Sequence, residues 1–411
     1  MLDYKFSKTI SKEEFDNFSQ NHKKGSFFQT SNWAEVKANW QPFYTGVFLK
    51  EKLVAVCLVL KRSILLGYSF MYAPRGPIME FDNEDLLTFY LKSLKALAKD
   101  NKAISLTIDP YILRDQYLMQ DEMKNKTNNN YNDEIIKEFK ENDFEHTGFK
   151  KDISSTIQPR FQPSIYLDEE SLALYKKSRG YKNGIKAKKA SVEVKRSNKD
   201  GLDDLLDLIK KTEEAKNISL RGKPYFEKLI QAFGEDCLIS IAVLDLEVEI
   251  ESLKERQDDL NKRLENPTIK SGRRREYESQ LKSVSKEISY LKEKKEEKGK
   301  KVNISGLLAL KNKNKAELLY AGMDRDFLKY SGSNLNYVDT IDWAIENGCK
   351  VLSFGGSSGY FDEGIDRFKA TFNPIVDEYI GEFIFENKKM LNYLFNKAQE
   401  IRKKLIHRQN S

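Results

Sequence analysis

Trp33, Lys37 and Trp40 lie four and three residues apart in the stretch Ser31–Trp40, a spacing that puts all three on one face of a helix. An ammonium framed by two indoles suits a phosphate held against a flat, partly apolar wall. The same spacing also describes an ordinary amphipathic helix with core tryptophans and a solvated lysine. A second cationic set, Arg221-Gly222-Lys223-Pro224-Tyr225, opens a helix at a point where proline is tolerated and free N–H groups favour anions. Arg367-Phe368-Lys369 is a third basic segment. Two carboxylates stand at chain turns: Asp109 before Pro110, and Glu382 in Tyr379-Ile380-Gly381-Glu382. Either can orient or deprotonate an amine if its pKa is raised, and an Asp before Pro is also a plain turn former.

Much other chemistry is excluded by composition. The chain has only three histidines, His22, His146 and His407, and no Cys/His cluster has the spacing of a metal site, so no metal is expected. No Gly-x-Gly tripeptide occurs. The glycine-rich phosphate loops of nucleotide and acetyl-CoA enzymes are therefore missing, and no cofactor is expected. Any phosphate must be held by side chains or by single backbone turns. The longest apolar run, Leu53 to Leu60, is far short of the ~20 residues of a membrane span. Met1-Leu2-Asp3-Tyr4-Lys5 carries no export signal, and Cys57, Cys237 and Cys349 read as reduced, buried thiols. A cytoplasmic protein is the expectation.

The net charge of +7 is modest but uneven. From Lys176 to Lys199, ten lysines and arginines face the single acid Glu193, with Lys182, Lys186 and Lys189 on one helical face. Such a run is either a solvated face or a contact for a polyanion, RNA backbone or anionic lipid.

Hydrophobic period supplies the elements that must position these groups. Helices are expected at Lys12 to Gln20 and Ser31 to Asn39, then strands at Thr45 to Leu49, Leu53 to Leu60 and Tyr68 to Ala73. A helix from about Asn83 to Lys99 buries Leu86, Leu87, Tyr90, Leu91, Leu94 and Leu97, and the strand Ala103 to Ile108 follows. The order recurs downstream: helices near Asp203 to Ala215 and Pro224 to Phe233, strands Cys237 to Leu244, Asn303 to Leu310 and Glu317 to Ala321, a helix Tyr337 to Glu346, and the strand Lys350 to Phe354. Residues 246–300 interrupt the second unit with two short heptad runs joined by a Pro/Gly loop, the pattern of an antiparallel coiled-coil hairpin about 30 Å long. That arm is a spacer, a dimer contact or an RNA-contacting limb. The stretch Gln116 to Tyr131 reads as a flexible loop.

In order along the chain, Tyr72-Ala73-Pro74-Arg75-Gly76-Pro77, Thr156-Ile157-Gln158-Pro159-Arg160-Phe161, Leu319-Tyr320-Ala321-Gly322, Phe354-Gly355-Gly356, Arg367-Phe368-Lys369 and Tyr379-Ile380-Gly381-Glu382 accompany the Trp-x-x-x-Lys element. This set resembles the Fem family of peptidoglycan interpeptide-bridge aminoacyltransferases, closest to its streptococcal-type serine/alanine-adding branch acting on lipid II. The resemblance implies a mixed α/β fold of two acetyltransferase-like (GNAT-like) domains. Residues 1–155 plus about 380–411 would form the first, 156–379 the second, and 246–300 the inserted arm. It implies aminoacyl-tRNA as donor, lipid II as acceptor and a position peripheral to the cytoplasmic membrane; the soluble UDP-linked precursor and a non-catalytic tRNA-binding scaffold are the alternatives. By resemblance Lys37 and Arg221 hold the acceptor's diphosphate with Trp40 beside them, Tyr225 and Tyr320 line its groove, Phe368 walls the donor's terminal adenosine and Lys369 stabilises the oxyanion. Asp109 or Glu382 would serve as base, unless the departing ribose oxygen carries the proton.

Overall fold

The computed structural model describes residues 3–120, 131–395 and 397. Among the described residues, fifteen strands form two mixed sheets. In chain order, β1 (Tyr4–Ser7), β2 (Gln41–Leu49), β3 (Lys52–Ser63), β4 (Ser69–Ala73) and β5 (Ala103–Ile108) build the first sheet. β6 (Leu113–Leu118) crosses to the second sheet, and β7 (Glu145–His146) returns to the first. β8 (Phe161–Tyr166), β9 (Val192–Ser197), β10 (Cys237–Asp245), β11 (Lys301–Asn312), β12 (Lys315–Met323), β13 (Val351–Ser353) and β14 (Ile375–Tyr379) belong to the second, and β15 (Phe383–Glu386) closes the first. The sheets run β1-β2-β3-β4-β5-β15-β7 and β6-β14-β8-β13-β12-β11-β10-β9.

The duplicated order is present. In each unit two helices precede three antiparallel strands, and a helix then crosses to the single parallel pairing, β4 with β5 and β12 with β13. Amphipathic patterning explains the layers. The helix Glu84–Asp100 buries Leu86, Leu87, Tyr90, Leu91, Leu94 and Leu97 against the first sheet. Helices Leu202–Lys216 and Lys223–Phe233 cover one face of the second. Phe27 and Trp33 of the first unit join Phe226, Phe233 and Leu308 of the second in one apolar cluster, so the two units share a core.

The strands exchange between the two sheets. β6 lies inside the 1–155 stretch, yet Tyr117 pairs with Val376 and Gln116 with Asp377 in the second sheet. We propose that the units are divided by sheet membership, with chain crossing between them several times. Gln116, expected in a loop, is thus in a strand; residues 121–130 of that stretch lie outside the described residues. The helix expected over Ser31 to Asn39 stops at Val36, because Lys37 (ψ 37°) leaves helical geometry.

Between β10 and β11 two long helices, Leu246–Leu264 and Ser271–Lys298, run antiparallel: Glu247 meets Lys295 at 3.1 Å, Gln257 bonds Ser285 at 2.8 Å, and Arg263 stacks on Tyr277. The 19 residues of the shorter helix span about 28 Å. Asp245 and Lys301, at the base of the arm, pair directly, so the sheet is continuous beneath the insertion. In the basic run Lys176, Lys177, Lys182, Lys186, Lys188 and Lys189 are exposed, whereas Arg196 is tied to Asp339 and Glu346.

Gly322, in the Leu319–Gly322 motif, sits where the helix Leu202–Lys216 meets β12. A Cβ there would lie 2.4 Å from the backbone nitrogen of Ile209 and 2.5 Å from the carbonyl oxygen of Leu208. Gly322→Ala must push helix from sheet, and is expected to cost about 1–3 kcal/mol, read as a lowered urea midpoint.

Candidate functional site

Local structure delivers Lys37 to its place. Thr30 caps the helix Ser31–Val36 by accepting the Trp33 N–H, and Phe27 and Phe28 pack edge-on to the buried Trp33 ring. Lys37 follows at the helix end with its Nζ 4.8 Å from the Trp33 ring centre and 5.6 Å from that of Tyr225. The Arg221 guanidinium lies 5.7 Å from the same Tyr225 ring. Burial, and then the nearby Arg221 charge, bring the Lys37 ammonium down to about 8. Among the described residues neither cation has a carboxylate within ion-pair distance. Two cations converging on one aromatic ring, unpaired among the described residues, can hold an anion. Tyr225 in turn meets Tyr320 at 6.1 Å. Trp40 turns elsewhere, to Phe70 at 6.1 Å and Arg62 at 5.8 Å, because the chain leaves the helix before it. The expected pair of indoles around Lys37 is therefore one indole and one phenol.

Lys369 occupies a different place. It is buried near the end of the helix Gly364–Ala370, which Glu363 and Asp366 start with a reciprocal cap. Its Nζ donates to the Gly356 carbonyl at 2.7 Å, with the Gly355 carbonyl and Ser357 Oγ each at 3.4 Å. Burial lowers its pKa to about 8, opposed by the fields of Asp366, Glu317 and Glu363. Gly355 can be only glycine: its φ is +73°, and a Cβ would lie 2.7 Å from the Leu318 carbonyl oxygen. Half-buried Phe368 packs on Tyr337 at 5.0 Å and faces a cleft of about 850 Å³ that also takes in Lys216, Arg325 and Arg367.

The two basic centres are joined by β12. A bulge at Leu319 shifts the register with β11, so that Glu317 opposes Leu310 and Tyr320 opposes Leu308. Without the extra residue Glu317 and Tyr320 would point to opposite faces; with it they share one. Tyr320 reaches the Lys37–Arg221 patch through Tyr225, and the Glu317 charge is felt at Lys369. Glu317 is buried and accepts from Gln162 at 3.2 Å; burial raises its carboxyl to about 7 against the pull of Arg75, Lys315 and Lys369.

Asp109 and Glu382 stand behind this line. Asp109 accepts the Tyr72 hydroxyl at 2.7 Å and the Arg75 N–H at 2.5 Å, and burial pushes it to about 6. Glu382 accepts the Ile157 N–H, and burial, then the charge of Asp109, raises it to about 7. Both hold backbone turns. Sequence reasoning missed Glu317 and gave Arg75 no role. The available signal was Lys315-x-Glu317, an acid and a base on one face of an otherwise apolar strand.

The sequence matches the FemAB family over residues 10–400. The chain belongs to the FemAB family. It is 28% identical to the aminoacyltransferase FemB of Staphylococcus epidermidis (strain ATCC 12228), covering 96% of this chain and 98% of that protein. To the aminoacyltransferase FemA of Staphylococcus aureus (strain MRSA252) it is 26% identical, covering 97% and 99%. The crystal structure of FemX matches with a TM-score of 0.74 at 23% identity, over 95% of this chain and 99% of that one, and shows the same fold. Membership of this family makes the chain a transferase enzyme. Among the described residues of this FemAB protein no helix is long and apolar enough to cross a membrane, and no group of three or more His, Cys, Asp or Glu is arranged to hold a metal.

Lys369 titrates near 8 in the folded FemAB protein and at its ordinary 10.5 when unfolded. Between these values the unfolded chain binds the extra proton, so this lysine's contribution to stability is lost as pH falls through 8 and recovered toward 10.5. Denaturation of wild type and Lys369→Met across that window is expected to shift the difference toward wild type as pH rises.

Proposed function

We propose that this FemAB-family enzyme transfers an amino acid, alanine or serine, from aminoacyl-tRNA to the stem-peptide lysine of lipid II in peptidoglycan cross-bridge synthesis. The observation that carries it is the Lys37–Arg221 pair on Tyr225, without counter-ions among the described residues, joined along one face of β12 to Glu317 and the field of buried Lys369. The pair takes the acceptor's diphosphate, with Tyr225 and Tyr320 beside it. The cleft beside Phe368, with Lys216, Arg325 and Arg367, takes the donor's 3′ end, whose adenine stacks on an aromatic wall and whose phosphates meet the cations.

The ester of the donor is already activated, so alignment and charge stabilisation do most of the work. The lysine amine attacks the ester carbonyl, Glu317 takes its proton, and Lys369 offers an N–H to the developing oxyanion. The C–O bond to the ribose then breaks and the oxygen leaves with the proton that Glu317 returns to it. A carboxyl raised to about 7 and an ammonium lowered to about 8 are suited to these opposite tasks near neutrality. Asp109 and Glu382 act as positioning residues that hold the Tyr72–Arg75 and Ile157–Gln158 turns.

A lipid-linked acceptor is favoured by the β3–β4 hairpin. Leu65 and Leu66 at its tip are 87% and 90% exposed, and Arg62 at its base leans on Trp40, next in the chain to the Lys37 patch. Two bare leucines beside a cation suit the surface of an anionic bilayer and support a peripheral position on the cytoplasmic membrane. The arm and the exposed basic helix are then free to meet tRNA.

Purified protein offered a mixture of radiolabelled aminoacyl-tRNAs is expected to label lipid II; no transfer from any donor to either lipid II or the UDP-linked precursor overturns the proposal. Arg221→Ala or Lys37→Ala is expected to raise KM for the acceptor about 10-fold or more, from loss of a charge-assisted contact. The pH profile of kcat/KM should rise near 7 and fall near 8, and Glu317→Gln should remove the rising limb while lowering the rate about 100-fold or more. Leu65→Ser with Leu66→Ser should weaken binding to anionic vesicles and leave transfer to the UDP-linked precursor unchanged.

A further inference from the structure

The end of the first sheet at which β4 and β5 begin carries bare apolar groups among exposed cations. Ser69 pairs with Ala103 there, so the β3–β4 hairpin tip and the turn leading into β5 stand side by side. Residues 389–395 form a helix across the same end. One face of this helix is fixed to the sheet. The Lys388 N–H donates to the Ile104 carbonyl at 3.0 Å, and Asn392 accepts from Ser105 at 3.1 Å and donates to Glu386 at 2.6 Å. The Phe395 ring stacks 6.5 Å from that of Phe70. The opposite face is bare. Met390, Tyr393 and Leu394, three and four residues apart, are 74%, 56% and 55% exposed.

The charge around this face is of one sign. Arg62, Lys99, Lys102, Lys388 and Lys389 are exposed, and Lys397 Nζ stands 4.8 Å from the Tyr393 ring centre. The nearby acids are engaged: Asp100 is paired with Lys8 at 2.6 Å, Asp143 with Lys95 at 2.5 Å, and Glu386 accepts from Asn392. Residues 398–411 lie outside the described residues, and their sequence adds Arg402, Lys403, Lys404 and Arg408 against Glu400.

This combination selects the partner. Aliphatic side chains offer a base nothing to stack on, so RNA would leave Leu65, Leu66, Met390 and Leu394 unused. A second copy of the chain would bring like charge against like. An anionic bilayer uses both features, since the aliphatic groups enter the acyl boundary while the lysines meet headgroup phosphates. We propose that the helix 389–395 and the β3–β4 hairpin form one two-element docking surface for an anionic phospholipid bilayer, engaged whether or not the acceptor is present. This rests on the membrane position assigned above, and adds a second footing to the hairpin. A single contact lets a bound protein swivel; two fix its orientation. Phe70 also meets Trp40 at 6.1 Å, and the Trp40 N–H donates to the Lys37 carbonyl at 2.7 Å. Three rings thus tie the docking helix to the cation patch that takes the acceptor's diphosphate.

Flotation of the full-length wild-type protein with acceptor-free vesicles tests this without turnover. Binding to phosphatidylcholine vesicles containing phosphatidylglycerol is expected to be at least about 10-fold tighter than to phosphatidylcholine alone. Met390→Ser with Leu394→Ser, and Lys388→Gln with Lys389→Gln, each checked for unchanged melting, are expected to weaken that binding about 5-fold or more. In transfer assays both pairs should raise KM for lipid II embedded in such vesicles and leave kcat and KM for the UDP-linked precursor unchanged. Equal binding to the two kinds of vesicle, or unchanged binding by both variants, overturns the proposal. So does a loss of tRNA affinity in both variants with vesicle binding retained, which would assign the face to RNA. Self-association of the wild type that both variants abolish, with vesicle binding retained, would assign it to a second copy and overturn the proposal equally. Vesicle binding that the variants weaken, without transfer from any donor, leaves the docking surface standing and refutes the reaction; transfer to the UDP-linked precursor with no vesicle binding does the reverse.

Discussion

Arg75 is the group on which the junction of the two units depends. Its guanidinium is buried 4.8 Å from the ring centres of both Tyr111 and Tyr379, bonds the Pro159 carbonyl at 2.8 Å, and feels the charges of Asp109 and Glu317. It comes from the turn after β4, in the first sheet, while Tyr379 ends β14 and Glu317 sits on β12, both in the second. A buried cation of this kind is tolerated only while its partners stay in place, and removing any of them leaves charge unpaired in a poor solvent. The strand exchange of β6 and β15 stitches the same seam by backbone pairing. The site is therefore not a groove between two independent lobes; its walls are held in register by the junction itself.

That rigidity has an electrostatic use. One apolar environment pushes acids and bases in opposite directions, because burial disfavours whichever form is charged. Glu317 rises to about 7 and Lys369 falls to about 8, so the wide gap that normally separates a carboxyl from an ammonium narrows sharply. Groups so matched exchange protons with a substrate amine at little cost near neutral pH. Asp109 and Glu382 are raised too, but their oxygens are taken by backbone N–H groups, and their effect is exerted on loop position. A raised pKa alone does not mark a base; access to the reacting atoms does.

The bulge at Leu319 is the smallest feature with the largest consequence. A single extra residue in β12 brings Tyr320 onto the face that carries Glu317 and Lys315. One strand thereby touches the cation patch and the region under the Lys369 field. Gly322, two residues on, lets the covering helix approach closely enough to seal the core behind that face.

Periodicity and motif order made the duplicated units and the long helical arm legible and singled out Lys37, Arg221, Phe368 and Lys369 as candidates, because these depend on local spacing and on residue types that stand out along the chain. The buried row of Glu84–Asp100 is one instance: six apolar positions at helical intervals have a single way to face inward. Three things required the folded chain. The end of the helix at Val36, and with it the separation of Trp40 from Lys37, follows from a backbone torsion that no spacing announces. The crossing of β6 into the second sheet follows from pairings with residues some 260 positions away. The environment of Glu317, Arg75 and Lys315 is set by side chains from both sheets. Amino-acid order determined which groups this protein owns and which elements carry them; only tertiary structure decided which were desolvated together, since solvation is a property of neighbours in space.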